Sequence, residues 1–286
     1  MSSPTTTSTS PASLAGTLSS AGQGKVATEL LRHSGLLTAR GVRTLLRQPA
    51  YAAITLVQPV IWLLLFGQLF RNVVRIPGFS PTSGSYLEFL TPGVIVMTAL
   101  FSSGWAGTAF IEDMNRGVMD RLLASPVRRG AMIVGSLAYQ SLTTIVQTLI
   151  VFGIAYAAGA RFAGGAGGVL ITVLVACLIS VVIASFSNAI ALLVRQQEAL
   201  IGISQFIVLP LQFLSAAIID TRVSPSWVRH VARYNPVDWA STAARAALSA
   251  HTDWGVVLPR LGFLFALAVL MAWLGTRAFS SYQRSL

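Results

Sequence analysis

Residues 162–194 read FAGGAGGVLITVLVACLISVVIASFSNAIALLV, with no charged side chain anywhere in the run. A transmembrane helix needs about 20 consecutive apolar residues to cross a hydrocarbon core of about 30 Å, and this stretch exceeds that length. Buried helices of soluble domains are shorter and keep one polar face. Five more uncharged, mostly apolar windows surround it, at 48–70, 89–111, 130–160, 199–219 and 261–276. The last reaches spanning length when extended back across Arg260. The sequence therefore predicts an all-α integral membrane protein with six transmembrane helices, over residues 51–70, 89–111, 131–158, 169–194, 200–219 and 258–277.

Composition agrees. Hydrophobic residues make up 54% of the chain and charged residues 10%, against roughly 25% charged in a soluble domain. The net charge of +11 invites a nucleic-acid reading, but that requires basic stripes on a folded surface. Here the cations sit in loops beside apolar spans, where membrane proteins place them, and no nucleic-acid partner is expected. The single cysteine, Cys177, lies inside the fourth span, which excludes a disulfide framework and a thiolate metal cluster. His33, His230 and His251 have no ligand spacing.

Residues 1–24 are half serine and threonine. Such a segment has too little apolar surface to offset its ordering entropy and reads as a disordered tail. It has no cationic start and no apolar h-region, so it does not read as a signal peptide. Residues 25–48 differ. At 100° per residue, Lys25, Arg32, Arg40, Arg43 and Arg47 fall within an arc of about 80°. That pattern predicts an amphipathic helix at the membrane interface, cations toward lipid phosphates, and Pro49 separates it from the first span.

Orientation follows from the cations. With the N-terminus inside, the inner segments hold Lys25, Arg32, Arg40, Arg43 and Arg47, then Arg116, Arg121, Arg128 and Arg129, then Arg195, then Arg277 and Arg284. That is 12 inside against 8 outside, with the bias concentrated early, where it usually dominates. Both termini are expected to be cytoplasmic.

The last outer loop, 220–257, carries its own helix signals. Ser224-Pro225 is a helix start, followed by Trp227 and Val231 on one face and Arg229 and Arg233 on the other. Asn235-Pro236 breaks this helix, and 238–250 is alanine-rich enough to form a second. Two short amphipathic helices with Trp227, Trp239 and Trp254 nearby suit the outer interface, where tryptophan is enriched.

The inner parts of the spans hold no acid, lysine or histidine. Proton-coupled pumps need such groups in the membrane. The neutral amides Gln58, Gln140, Gln147, Asn188, Gln205 and Gln212 are there instead, able to bond between helices or to line a substrate pathway. Pro59 and Pro210 interrupt the first and fifth spans. A P-loop needs Gly-Lys followed by serine or threonine. The one lysine lies in Gly24-Lys25-Val26, so this chain holds no ATPase, and no catalytic constellation stands out.

Between the second and third spans, residues 112–129 read EDMNRGVMDRLLASPVRR. Glu112, Arg116 and Asp120 form a ladder of opposite charges at spacing four. Met114, Val118 and Leu122 share the other side, and Pro126 ends the expected helix over 112–124. The adjacent acids Glu112 and Asp113 would open it, where acids favour the helix dipole.

From Tyr86 to Val134 the chain resembles type-2 ABC transporter permeases, especially the daunorubicin-resistance-type membrane subunits of actinobacteria. The resemblance rests on Leu90-Thr91-Pro92-Gly93, on the run Arg116-Gly117-Val118-Met119-Asp120-Arg121-Leu122-Leu123, and on Pro126-Val127-Arg128. It extends over nearly the whole chain after Lys25, including Asn235-Pro236 before an alanine-rich helix. It implies that Glu112, Asp113, Met114, Arg116, Gly117, Val118, Asp120, Arg121, Leu122, Pro126 and Arg128 form a coupling helix that docks on a separate ATP-binding subunit. It also implies two ATP-binding subunits, which hold ATP and Mg²⁺, and a second permease, the same or a related chain. The function implied is export of amphipathic drugs, lipids or glycolipids from a bacterial plasma membrane by a non-catalytic subunit. Trp227, Val231, Asn235, Pro236 and Trp239 would belong to an outer gate. The competing classes are a channel or secondary transporter, and a membrane-embedded enzyme.

Overall fold

The computed structural model describes residues 56–70, 85–118, 129–215 and 226–282. Every regular element among them is helical. The expected tail over 1–24 and interfacial helix over 25–48 lie outside the described residues. Helix α1 covers Leu56–Leu69 and widens into a π-helical stretch over Trp62–Phe66, just beyond Pro59. The stacked rings of Trp62 and Phe66, 4.5 Å between centroids, lie along it.

Helix α2 (Tyr86–Gly104) and the shorter α3 (Thr108–Asn115) together form the second apolar stretch, interrupted at residues 105–107. Then come α4 (Arg129–Ala157), α5 (Gly165–Val194), α6 (Gln197–Phe213), α7 (Ser226–Ala232), α8 (Pro236–Leu248) and α9 (Trp254–Tyr282). Ser85 caps α2 by accepting the Glu88 amide at 3.3 Å. The last helix starts at Trp254 and passes through Arg260, the backward extension that its length required.

Four helical stretches among the described residues are long and apolar enough to cross a membrane: Tyr86–Asn115, Met132–Ala157, Gly165–Val194 and Trp254–Arg277. Helices α1 and α6 are shorter within those residues.

Helix α5 is the hub. It packs against α2, α4, α8 and α9, and Val175, Ala176, Ile179, Val182 and Ala184 along it are almost fully buried. Small residues let partner helices approach closely. A Cβ added at Gly164 or Gly168 would run into the Ala247 carbonyl of α8, so those positions admit only glycine.

Spanning helices successive along the chain alternate in direction. Gly104 and Gly107 lie beside Ser187, and Glu88 beside Arg161, so α2 runs parallel to α5. Helix α4 runs against both, pairing Ser136 with Asn188 and Thr144 with Ser180. Helix α9 again follows α5, with Phe263 near Trp239 and Gly275 near Ser185. One end of the bundle therefore carries Glu88, Arg161, Trp239 and Arg245. The other carries Glu112, Arg116, Arg195 and Arg277.

Candidate functional site

At the Glu112 end, Phe110 and Ile111 of α3 are buried against Met132, Ile133, Leu137, Leu192 and Leu200, with Met114 packed at the margin. This apolar anchor fixes where the helix leaves the bundle. The helix expected over 112–124 is interrupted at residues 116–117, within the described residues. Helix α3 ends at Asn115, where the Arg116 amide bonds to the Glu112 carbonyl at 3.0 Å and the Gly117 amide to that of Met114 at 3.0 Å. Gly117 sits at φ +65°, a left-handed helix stop that glycine adopts without steric cost.

Glu112 and Asp113 therefore close a helix instead of opening one, against the dipole preference. One rung of the charge ladder is present, Arg116 to Glu112 at 3.5 Å. Both side chains are exposed, and such a pair contributes less than about 1 kcal/mol. Val118 is helical again, but beyond a break, so Met114 and Val118 do not share one continuous stripe. Asp120, Arg121, Leu122, Pro126 and Arg128 lie outside the described residues. Gly117 was the signal that the charge and apolar spacing overrode.

In mid-bundle two amides donate between helices, although the Asn188 oxygen is buried with no partner among the described residues. Gln140 donates to Ser102 at 3.2 Å, tying α4 to α2. Asn188 donates to Ser136 at 3.2 Å, tying α5 to α4. Both act between helices. Gln147, Gln205 and Gln212 each keep a buried amide oxygen with no hydrogen-bond partner among the described residues. Gln58 is exposed on α1, beside Val57, Ile61 and Trp62 along a shallow groove. The six residues are spread over α1, α4, α5 and α6. The Thr144–Ser180 bond, 2.9 Å, was not anticipated, since serine and threonine recur throughout these spans.

At the Glu88 end, Asn235 and Pro236 start α8 as their order suggests. The Asn235 side-chain oxygen accepts the Val237 amide at 2.9 Å, an N-cap with proline at the first helical position. Its Nδ2 donates to two carbonyls at the end of α6, Leu211 at 2.6 Å and Leu214 at 2.9 Å. One side chain thus satisfies groups at the ends of two helices.

The expectation of two similar interfacial helices is half corrected. In α7, Trp227 is 62% and Val231 43% exposed, and Arg229 and Arg233 are exposed as well. Helix α8 is instead packed into the bundle, with Val237, Ala240, Ala243, Ala244 and Ala247 fully buried. Its alanines are a contact surface against α5 and α9, not a mark of a membrane-surface helix. Trp239 joins the two short helices, its indole N–H donating to the Arg233 carbonyl at 2.7 Å and its ring 5.5 Å from that of Phe263. Arg245 crosses to α2, donating to the Phe89 carbonyl at 3.2 Å with its guanidinium 4.0 Å from the Phe89 ring centroid. Nothing in the local sequence pairs those two residues.

The ABC-2 type transporter family profile matches residues 33–249, from before α1 to just past α8. The chain belongs to the ABC-2 transporter family. It is similar to the daunorubicin resistance ABC transporter permease protein DrrB1 of Streptomyces coeruleorubidus, 28% identical over 70% of each chain. It is also similar to the putative transport permease ycf38 of Porphyra purpurea, 27% identical over 79% of this chain and 77% of the relative. A third relative is the probable doxorubicin resistance ABC transporter permease protein DrrC of Mycobacterium tuberculosis, 24% identical over 67% of this chain and 69% of the relative. As an ABC-2 member with several apolar helices, this chain is a multi-pass membrane permease.

Proposed function

We propose that this chain is the membrane-spanning subunit of an ABC exporter, forming half of the translocation pathway. The family match over residues 33–249 carries the reading. A separate ATP-binding subunit, in two copies, holds ATP and Mg²⁺ and supplies the energy, and a second permease, the same or a related chain, completes the pathway. The absence of a P-loop from the full sequence supports an external energy source.

The chain crosses a bacterial plasma membrane six times with both termini cytoplasmic. The Glu112 end then faces the ATP-binding subunit and the Glu88 end faces outward. The segment 112–128 is the docking region. Its apolar anchors are Met114, before the break at Gly117, and Val118 and Leu122, which follow it in the sequence. The cargo is amphipathic: a drug, lipid or glycolipid. Two relatives are named for resistance to the drugs daunorubicin and doxorubicin, which supports the drug among these.

The test reconstitutes the chain with its ATP-binding subunit in vesicles. ATP should drive cargo movement, and a proton gradient without ATP should not. A few desolvated side chains usually dominate an interface, and burying a charge among them is costly. Leu122→Asp should therefore weaken subunit association by roughly thirtyfold, about 2 kcal/mol, while membrane insertion is retained. Cargo accumulation on a proton gradient alone, abolished by an uncoupler, would establish a secondary transporter instead.

A further inference from the structure

The interruption between α2 and α3 frees backbone groups of the second span, and one side chain takes up two of them. In an unbroken helix the Gly107 amide would bond to the Ser103 carbonyl, and the Thr108 amide to that of Gly104. Instead the Ala106 amide takes Ser103 at 3.1 Å, and the Thr108 amide turns back to Trp105 at 3.0 Å. Among the backbone groups the break frees are the Gly104 carbonyl and the Gly107 N–H. Buried backbone groups without partners are rare because each costs free energy.

Ser187 of α5 satisfies both. Its hydroxyl donates to the Gly104 carbonyl at 2.7 Å and accepts the Gly107 N–H at 3.0 Å. Ser187 is fully buried. The approach needs glycine at 107, since a Cβ there would lie 2.5 Å from the Ser187 carbonyl oxygen. Helix α5 is itself unbroken from Gly165 to Val194, so the hydroxyl projects from a straight rod. Beyond the break, α3 leads directly to Glu112, Met114 and the Gly117 stop.

We infer that Ser187 is a positioning residue: it holds the second span broken at residues 105–107 and so sets the direction in which Thr108–Asn115 meets the ATP-binding subunit. The positioning is a property of this chain alone, while its consequence for transport rests on the function proposed above. Without the hydroxyl, the Thr108 amide regains its helical partner at Gly104. The span then straightens, and every residue beyond it rotates about the helix axis.

The experiment reads the distance between spin labels at Asn115→Cys and Leu193→Cys, both exposed, in a Cys177→Ala background. The full-length chain should give one narrow distribution. Ser187→Ala should add a second population, the broken form falling about tenfold relative to the straight one. Ser187→Thr, which keeps the hydroxyl, should restore the single distance. Thr98→Ala removes a hydroxyl from the same span that bonds only within its own helix, to the Val94 carbonyl at 2.7 Å. It should leave the distance unchanged.

With the ATP-binding subunit added, cargo moved per ATP hydrolysed should fall about tenfold in Ser187→Ala and recover in Ser187→Thr. An unchanged distance in Ser187→Ala overturns the inference, and so does a shifted distance with an unchanged ratio of cargo to ATP. Should Ser187→Ala not fold, hydrogen exchange on the unmodified chain decides. The Gly107 amide should be protected like that of Ile111, and exchange at the rate of an open peptide overturns the inference. Failure of ATP to drive transport in the unmodified complex would strike the proposed function and leave the distance result standing.

Discussion

Asn235 shows how much one side chain can determine in a bundle held mostly by apolar contacts. Its oxygen caps α8 while its nitrogen holds the Leu211 and Leu214 carbonyls of α6. The two roles separate chemically. In Asn235→Asp the carboxylate still caps α8, since aspartate is as good a cap as asparagine, but it faces two carbonyls with no proton to donate. Two hydrogen bonds at about 1 kcal/mol each are lost, and repulsion is added. The expected result is a chain destabilised by about 2 kcal/mol or more, with α8 still formed and ATP hydrolysis no longer tied to transport. Thermal unfolding together with the cargo-to-ATP ratio measures both, and an unaltered ratio would rule out a role for the α6 attachment. The sequence makes the cap legible, because Asn-Pro before an alanine run is a local signal. The α6 partners are not legible, since they lie in a different helix and any carbonyl can accept. Ser187 escaped for the same reason: its contacts are to backbone atoms some 80 residues earlier.

At the scale of elements, four of the six long uncharged windows hold helical stretches of spanning length among the described residues, because apolar length is what lets a segment span a membrane. Interruptions inside the windows were harder. Residues 105–107 and Gly117 break helices whose composition never changes, and only tertiary contacts or a left-handed φ distinguish them. The two short helices at the Glu88 end were separable by sequence but not by environment. Alanine serves equally on a wet surface and in a tight interface, and in α8 it serves the interface. Single cysteines in the Cys177→Ala background should therefore label differently in the two helices. An impermeant maleimide should modify Trp227→Cys, Arg229→Cys and Arg233→Cys readily. Along α8 it should spare positions 237, 240, 244 and 247 and reach only the half-buried positions 236, 239, 242, 245 and 246. Uniform modification from 236 to 248 would mean that α8 does not seat against α5.

For the molecule as a whole, the alternation of α2, α4, α5, α6 and α9 places Arg277 at the same end as Glu112 and Arg195. In the orientation proposed above, which the cation bias supports, that end is cytoplasmic. A reporter active only in the cytoplasm should work when fused after Leu286, and one active only outside should work when inserted within 80–85. The opposite pattern would invert the topology. The whole architecture also constrains how the Glu88 end can open. Helix α8 is a strap with two unlike fastenings. Its C-terminal end lies on α5 through Gly164, Gly168 and the Ala247 carbonyl, backbone against backbone with no side chain between. Its N-terminal end is held to α6 by the two hydrogen bonds of a single amide. The first fastening has no rotamer to turn and comes apart only if whole helices separate. The second releases when one side chain swings away. If this end is the outer gate proposed for the exporter, its widening should part α6 from the strap while α8 travels with α5, leaving one fixed wall and one moving one.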